Sequence, residues 1–394
     1  MDYQYYNQLF KHQLLPLAYL DLDLFDKNIL EIKKRCSKGT IRIASKSLRC
    51  RFALERILNS GIPYQGIMTF SPWESVWLSE NGFDNLLIGY PTVNRAALEA
   101  ICIATANRKE IIPMVDCIQH LDIIQEIAKK NEVVQPVCID VDMSSDFPGV
   151  HFGVYRSSIT NLNTFKKFLD TAITYPNIRI VGIMGYEAQI AGIGTKTPTE
   201  KIKSNVIKVL KYISIKELAK RRADCVNYAI TKGVQLDFVN GGGTGSMETT
   251  LSEDCVTEVT VGSGFYSPAL FDDYEDFHHL PAVGFACEIT RLPAKNIFTC
   301  SGGGYIASGG ISVSKQPKPY LPKGIELFEN EGAGEVQTPV KYSGKIPLNI
   351  GDTILFRHAK AGEICERFNA LHIISEGKIK TTVETYRGEN KCFL

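Results

Sequence analysis

The sequence lacks the features that direct a protein to a membrane or to nucleic acid. Its 394 residues contain no apolar run near the roughly 20 residues that a membrane-spanning helix requires. The formal net charge is only +1 and no basic stripe is present, so neither nucleic acid nor an anionic membrane surface is expected as a partner. Residues 1–23 have no basic end followed by a clean apolar stretch, so we expect no secretory leader and a cytoplasmic location.

Paired cysteines are also missing. The 11 cysteines are scattered along the chain, and none of them forms a C-x-x-C pair. An odd number in this arrangement is typical of reduced thiols, many of which are simply small core residues. We therefore expect neither a disulfide scaffold nor a structural zinc knuckle.

Short apolar runs do recur in the first two thirds of the chain, at 41–45, 66–70, 85–89, 111–116, 136–142, 178–186, 236–242 and 257–264. Intervening segments such as 71–82 and 119–131 carry apolar residues three and four positions apart, which is typical of helices. Near-continuous apolar strands that alternate with helices indicate a parallel sheet covered on both faces. Eight such units predict a (β/α)8 barrel, a fold of about 250 residues. A doubly wound open sheet is the alternative that periodicity alone leaves open.

The composition changes after about residue 265, where glycine, proline and short alternating segments predominate. This pattern predicts an antiparallel β domain. We assign residues 22–264 to the barrel, and residues 1–21 and 265–394 to the β domain. The segment 314–324, SKQPKPYLPKG, is interpreted as a loop.

Two glycine-rich segments follow the seventh and eighth predicted strands, where barrel enzymes commonly bind phosphate. They are NGGGTGS (240–246) and GSGFYSP (262–268), in which backbone N–H groups and the hydroxyls of Thr244, Ser246 and Ser263 can donate to an anion. Lys46 follows the first predicted strand, which neighbours the eighth once a barrel closes.

A phosphate site beside a strand-end lysine points to pyridoxal phosphate held as a Schiff base. The amine must be neutral to attack the aldehyde, and we expect a partly desolvated pocket to favour that form of Lys46.

Several motifs carry a resemblance to a known family: LDLDLFDKNI, IRIASKSLRC, GIMGYEAQ, NGGGTGS, GSGFY and FRHAKAGEICERFN. The chain resembles the fold type III (alanine racemase-like) pyridoxal phosphate enzymes, and within them the D-threonine aldolase and D-serine dehydratase branch, also called amino acid deaminase/aldolase. The resemblance implies that Lys46 binds the cofactor aldehyde and that the glycine loops hold its phosphate. The implied loop residues are Asn240, Gly242, Gly243, Thr244, Gly262, Ser263, Gly264 and Tyr266. It also implies a homodimer with active sites near the subunit boundary.

The same resemblance assigns residues around the cofactor ring. Tyr186 and Gln189 of GYEAQ are implied to lie beside the pyridine ring, and Arg156 of HFGVYR near its phenolic oxygen. A neutral phenol near the ring nitrogen would not enforce protonation as a carboxylate would. The ring would then be a milder electron sink.

The segment 356–369 corresponds to a short His-x-Cys or His-x-Asp zinc site of the resembled branch. Here His358-Ala359 is followed by Lys360, which cannot be such a ligand. In one interpretation residues 360–364 are an insertion, and Cys365 joins His358 as the second zinc ligand. In the other, the metal is lost and Lys360 supplies the positive charge beside the substrate.

The resemblance implies a pyridoxal phosphate lyase that acts on small D-amino acids bearing a β-hydroxyl, by retro-aldol cleavage or by dehydration and deamination. One alternative is an amino acid racemase, which requires a second base on the opposite face of the cofactor, usually a tyrosine from the β domain of a partner subunit; Tyr266 and Tyr305 are imperfect candidates. The other is a non-catalytic cofactor-binding protein, against which the additional β domain argues.

Overall fold

The structure is a computed structural model that describes residues 2–192, 194, 201–310, 312–360 and 362–393, without the side chains of residues 201–204. Its strands are β1 (Leu17–Asp21), β2 (Thr40–Ala44), β3 (Tyr64–Thr69), β4 (Leu86–Ile88), β5 (Ile111–Ile112), β6 (Met114–Val115), β7 (Gln135–Asp140), β8 (Ser145–Phe147), β9 (Val150–Phe152), β10 (Ile178–Gly185), β11 (Phe238–Gly241), β12 (Glu258–Val261), β13 (Val283–Ala294), β14 (Ile297–Ser301), β15 (Lys318–Leu321), β16 (Ile325–Leu327), β17 (Gln337–Tyr342), β18 (Thr353–Arg357), β19 (Ala370–Ser375) and β20 (Lys378–Glu384). Its α-helices are α1 (Tyr3–Phe10), α2 (Leu22–Arg35), α3 (Arg51–Leu58), α4 (Pro72–Glu80), α5 (Arg95–Ala106), α6 (Ile118–Lys130), α7 (Leu162–Ala172), α8 (Ala188–Ala191), α9 (Lys201–Thr231), α10 (Met247–Leu251) and α11 (Ser263–Tyr266). Short 3₁₀ helices cover Ser45–Ser47, Ala269–Asp273, Val313–Lys315 and Glu363–Glu366.

The predicted barrel is confirmed. Its strands pair in the order β5-β4-β3-β2-β12-β11-β10-β7-β6, and every pair is parallel. β5 and β6 are two parts of one strand position, separated by Pro113, which has no N–H to donate to a ladder. Pairing of β12 with β2 closes the sheet, which excludes the open doubly wound alternative.

Burial on both faces explains the uninterrupted apolar character of these strands. All six residues of β7 and all three of β4 are buried. On β2, Ile41 and Ile43 pack into the large core shared with the helices, whereas the alternate residue Arg42 points into the barrel. The barrel interior is filled by a smaller apolar cluster, consisting of Leu87, Ile112, Met114, Cys138, Val181, Met184 and Phe238.

A buried ion pair crosses the closing seam of the barrel. Arg42 donates from Nε to Glu258 Oε1 at 2.7 Å and from Nη2 to Glu258 Oε2 at 3.1 Å, and both side chains are almost wholly buried. Asn240 on β11 donates to the same carboxylate at 2.8 Å, and Arg42 also reaches the backbone and side-chain oxygens of Asn85. Hydrogen bonds to both partners make this desolvated pair tolerable in the interior.

The second sheet is largely antiparallel and holds the C-terminal strands. Its order is β16-β17-β14-β13-β1-β19-β20, with β18 pairing to β13 and β15 pairing to β18. β1 runs antiparallel to β13 and parallel to β19, so the N-terminal strand is part of this sheet.

Two local expectations need correction. The segment 314–324 is not a plain loop, because β15 lies within it and pairs with β18. Its prolines are compatible with a strand because β15 is at the sheet edge, where one side of the backbone needs no partner. A β8–β9 hairpin was not foreseen, although Pro148-Gly149 at its turn is a recognisable signal.

All 11 cysteines are free thiols, in agreement with their scattered spacing. Within the described ranges of the chain, no helix combines the length and apolar character needed to cross a bilayer.

We expect Glu258→Gln to lower the free energy of unfolding by about 3–5 kcal/mol, because Arg42 would keep its charge without a counter-ion in the barrel interior. The measurement is urea unfolding followed by circular dichroism. The control is Asp26→Asn, which breaks the exposed Arg56 pair and should cost no more than about 1 kcal/mol. Equal losses for the two variants would contradict a special role for the seam.

Candidate functional site

Lys46 stands at the barrel mouth, at the C-terminal end of β2. The 3₁₀ turn Ser45–Ser47 continues the strand, and Ser45 Oγ ties this turn to the Met68 carbonyl at 3.1 Å. Lys46 Nζ donates to the hydroxyl of Tyr90, just after β4, at 3.0 Å. Lys46 is exposed in the single chain. The protein residues around it therefore do not provide the desolvation that was expected to favour its neutral amine.

Tyr90 was missed by the sequence analysis because nothing in GYP marks it. Burial acts to raise the pKa of this phenol, but the cations of Lys46, Arg156 and Lys360 outweigh burial and lower it. The pairing with Lys46 makes Tyr90 a group that can orient the amine and exchange a proton with it.

A cavity of about 240 Å³ opens beside Tyr90, between the ends of β4, β6, β7 and β10. Arg156 lines it and lies between two rings, with Cζ 5.8 Å from the Tyr90 centroid and 5.6 Å from that of Tyr186. Burial raises the pKa of Tyr186 to about 12, with Arg156 opposing, so the phenol is neutral. Gln189 is buried nearby, donates to the Met143 carbonyl at 2.5 Å, and its Oε1 has no hydrogen-bond partner among the described residues.

Acidic side chains line the far side of this cavity. Burial, reinforced by Asp116 and Asp142, raises the pKa of Asp140 from its usual 3.8 to about 7, although Arg156 opposes the rise. Asp116 has hydrogen-bonding partners for both carboxylate oxygens. Its Oδ1 lies 3.1 Å from His120 Nδ1, and its Oδ2 accepts a hydrogen bond from the backbone N–H of Ser158. The cavity therefore carries a cation, two phenols and a carboxyl group that changes protonation near neutral pH.

The two glycine loops meet the turn that carries Lys46. Gly264 N donates to Thr244 Oγ1 at 3.1 Å, and the hydroxyls of Ser47 and Ser263 lie 3.3 Å apart. A Cβ on Gly262 would approach the Ser47 side chain to 2.7 Å, so only glycine permits this packing. Hydroxyls and N–H groups thus converge beside the lysine, which fits a phosphate anion.

The side chains of Asn240 and Tyr266 are almost fully buried. Asn240 Nδ2 bonds Glu258 at 2.8 Å and Thr260 at 2.9 Å inside the barrel. The Tyr266 hydroxyl is fully buried and donates to the Leu48 carbonyl at 3.1 Å. The polar groups of both side chains are therefore hydrogen-bonded to protein atoms in the core.

Glu187 is a second residue that the sequence analysis missed. Its carboxylate accepts from Gly242 N at 3.3 Å, from Ser246 Oγ at 3.1 Å and from the Thr250 hydroxyl. The guanidinium of Arg222 on α9, which is fully buried, balances this charge at 2.9 Å and also pairs with Glu253. The carboxylate therefore holds the first glycine loop by two hydrogen bonds and ties it to α10 by a third.

His358 and Cys365, the implied metal residues, are both buried in the β domain. His358 is buried, and neither ring nitrogen makes a well-aligned hydrogen bond within the described residues, so it could serve as a ligand. Burial, however, raises the pKa of the Cys365 thiol well above its usual range, and its sulfur contacts the Tyr266 hydroxyl. Among the described residues, the one group of three or more metal-binding side chains is Asp116, Cys117 and His120. The assignment of His358 and Cys365 as zinc ligands stays a prediction.

Lys360 lies at the mouth beside Lys46. A Cβ on Gly362 (φ +81°) would collide with the Lys46 carbonyl oxygen, so this loop of the β domain packs directly on the lysine turn. Lys360 Nζ donates to Ser308 Oγ at 3.4 Å. Burial lowers the pKa of Lys360, Glu363 opposes this, and Lys46 and Lys315 lower the pKa further.

Residues 20–266 match the family model described as the alanine racemase N-terminal domain. The chain belongs to this family. Members of the alanine racemase-like family bind pyridoxal phosphate. The match confirms the resemblance of the motifs to the fold type III enzymes. No curated protein sequence matches the chain.

Solved structures share the whole architecture at low identity. D-threonine aldolase from Filomicrobium marinum superimposes with a TM-score of 0.76 at 16% identity, over 95% of both chains. D-threo-3-hydroxyaspartate dehydratase from Delftia sp. HT23 gives 0.75 at 15%, over 96% of this chain and 98% of that one. Alanine racemase of Clostridium difficile 630 in complex with cycloserine gives 0.65 at 15%, over 95% and 99%. These likenesses establish the barrel with its β domain and leave the reaction open.

We expect Glu187→Gln to weaken binding of pyridoxal phosphate, because the amide loses the charge that two donors of the glycine loop and the Thr250 hydroxyl share. A buried polar contact of this kind contributes about 1–3 kcal/mol, or roughly ten- to a hundredfold in the dissociation constant. Fluorescence titration with the cofactor measures it. Glu253→Gln is the matched control, because it removes the other carboxylate of Arg222 and leaves the loop contacts intact. A similar loss of affinity in both variants would contradict the assignment.

The pKa of Asp140 predicts a pH-dependent stability. Between about pH 4 and pH 7 the folded chain holds this proton and the unfolded chain does not, so the contribution of Asp140 to stability falls as pH rises and levels off above pH 7. Asp140→Asn should therefore gain stability relative to the unsubstituted protein across that range. Urea unfolding midpoints at several pH values test this. A difference that is constant with pH would show that Asp140 is ionised throughout.

Proposed function

We propose that this protein is a pyridoxal phosphate-dependent lyase that acts on small D-amino acids bearing a β-hydroxyl. One observation carries the proposal: a strand-end lysine, bonded to a phenol, packs against two glycine loops in a barrel of the alanine racemase N-terminal family. The loops supply donors for a phosphate, and Lys46 is the one amine in contact with the Tyr90 phenol among the described residues. We also propose that the protein works as a homodimer in the cytoplasm.

Each residue of the site has a role in this proposal. Bound pyridoxal phosphate withdraws electrons from the bonds at Cα of an amino acid. Thr244, Ser263 and neighbouring N–H groups hold the phosphate, while Arg156 and Tyr186 flank the ring. Lys46 Nζ exchanges the proton at Cα, and Tyr90 keeps that amine oriented at 3.0 Å. Gln189 offers its unpartnered Oε1 as an acceptor.

The burial of Tyr266 supports a lyase over a racemase. A racemase needs a second base, and Tyr266, one of the two candidates, has its hydroxyl bonded in the core. The other candidate, Tyr305, packs edge-on against Phe285 and Phe368, and burial raises its pKa to about 12, which disfavours the phenolate. Neither tyrosine is therefore poised to take a proton within the single chain.

Incubation of the cofactor-loaded protein with D-threonine, D-serine and D-3-hydroxyaspartate tests the proposal. Aldehyde plus glycine would identify an aldolase, and 2-oxo acid plus ammonia would identify a dehydratase. Conversion of L-alanine to its D-isomer without either product would replace the lyase by a racemase. No change in any amino acid would leave only a cofactor-binding protein.

Lys46→Ala is the decisive variant. We expect it to abolish the visible absorption of the bound cofactor and the mass increase that borohydride reduction leaves on the chain, because Lys46 is the amine that we assign to the covalent attachment. Lys27→Ala, which removes an exposed lysine of α2, is the control and should retain both signals. A mass increase that persists in Lys46→Ala would assign the attachment elsewhere.

A further inference from the structure

Three different metal-binding side chains meet where α6 begins. The carboxylate of Asp116, the thiol of Cys117 and the imidazole of His120 offer one ligand atom each, and these atoms lie within 4.8 Å of one another. Cys117 is the N-cap of α6 and His120 stands three positions further on, so the two side chains share one face of the first turn. The start of this helix therefore presents an oxygen, a nitrogen and a sulfur ligand together.

The carboxylate and the imidazole already have the spacing that a shared cation requires. Asp116 Oδ1 lies 3.1 Å from His120 Nδ1, and Nδ1 also accepts from the backbone N–H of Asp116 at 3.3 Å. A nitrogen that accepts from that N–H carries a lone pair, so it faces a carboxylate oxygen that offers only lone pairs as well. Two ligands bound to one zinc ion at about 2.0–2.1 Å are roughly 3.3 Å apart in a tetrahedral site. A divalent cation placed against both atoms would satisfy them together.

Neighbouring groups orient the carboxylate for this role. Asp116 Oδ2 accepts from the backbone N–H of Ser158 at 3.2 Å, and the Ser158 hydroxyl donates to the Asp116 carbonyl at 2.6 Å. These bonds leave Oδ1 directed at His120, in the way that outer-shell contacts commonly fix metal ligands.

The charge of the ligand set suits a divalent cation at a helix N-terminus. The dipole of α6 places a partial positive charge at this end, which favours anionic side chains and disfavours an isolated cation. Asp116 and Cys117 as anions would cancel the charge of the ion, and Asp140 and Asp142 line the same cavity as Asp116. Sulfur and nitrogen ligands select zinc-like ions over magnesium and calcium.

We propose that Asp116, Cys117 and His120 bind one divalent metal ion of the zinc class, with water as the fourth ligand. The site shares no residue with the pair implied in the β domain, and it does not depend on the proposed function. The ion would hold the start of α6 to the segment that follows Arg156, since Asp116 bonds Ser158 in that segment.

Protection of Cys117 from alkylation tests the site in the cofactor-loaded protein without a measurement of activity. We expect saturating zinc to suppress the reaction of Cys117 with iodoacetamide, because a thiolate that binds a metal is not free to attack. Mass spectrometry of the peptides follows each cysteine separately. The exposed Cys392 is the internal control and should react equally with and without zinc. Reaction of Cys117 at an unchanged rate would overturn the site.

Zinc content after dialysis shows which residues hold the ion. Cys117→Ser and His120→Gln should each lose one zinc ion per chain relative to the unsubstituted protein. The control is His12→Gln, which removes an exposed imidazole after α1 and should lose none. Zinc that is retained in Cys117→Ser and lost in His358→Ala would assign the ion to the β domain and overturn the inference.

Thermal unfolding separates a metal ligand from a residue that only caps the helix. Glutamine at position 120 can keep the hydrogen bond from the Asp116 N–H, so a capping role alone survives His120→Gln. Zinc should raise the unfolding midpoint of the unsubstituted protein more than that of His120→Gln, because a ligand that binds the folded state stabilises it by mass action. An equal shift in both proteins, or no shift in either, would overturn the metal site.

Discussion

The buried pair between Arg42 and Glu258 joins the first and last strands of the barrel, and the site is built on that junction. Arg42 is on β2, and Lys46 follows it by four residues in the turn after that strand. Glu258 is on β12, and the second glycine loop begins four residues after it. Asn240 bonds the same carboxylate and leads into the first glycine loop. One polar network inside the barrel therefore sets the relative positions of the amine and both loops. Its cost in desolvation is offset by the hydrogen bonds that each member makes.

Regular patterns in the sequence predicted the regular parts of the structure. All eight barrel runs became strands because parallel strands covered on both faces must be apolar throughout. Lys46 and the glycine loops could be placed because their positions relative to the strands are fixed by the fold. β15 was interpreted as a loop because Pro319 within it and the prolines on either side are turn residues elsewhere, and only its edge position makes Pro319 acceptable.

Residues that act through tertiary contacts left no such pattern. Tyr90 and Glu187 stand in segments without a recognisable motif. Tyr90 matters because its hydroxyl, after the end of β4, accepts a hydrogen bond from Lys46. Glu187 matters because α9 brings Arg222 to its carboxylate. Asn240 and Tyr266 show the opposite case. Their places within glycine-rich motifs predict contact with the cofactor, which stays a prediction, and the structure adds that the polar group of each side chain is bonded in the core. Sequence position defines the loop, while only the fold defines which way each side chain points.

The two domains contribute different chemistry to the mouth. The barrel supplies the amine, the glycine loops and a cavity with acidic groups such as Asp140. The β domain supplies the segment 358–366, which is anchored by the buried Cys365 and by the pair between Arg49 and Glu366. In this segment Gly362 packs against the Lys46 carbonyl, and the charge of Lys360 lowers the pKa of Tyr90. A change in this one segment can therefore alter the charge that a substrate meets while the barrel that holds the cofactor stays the same.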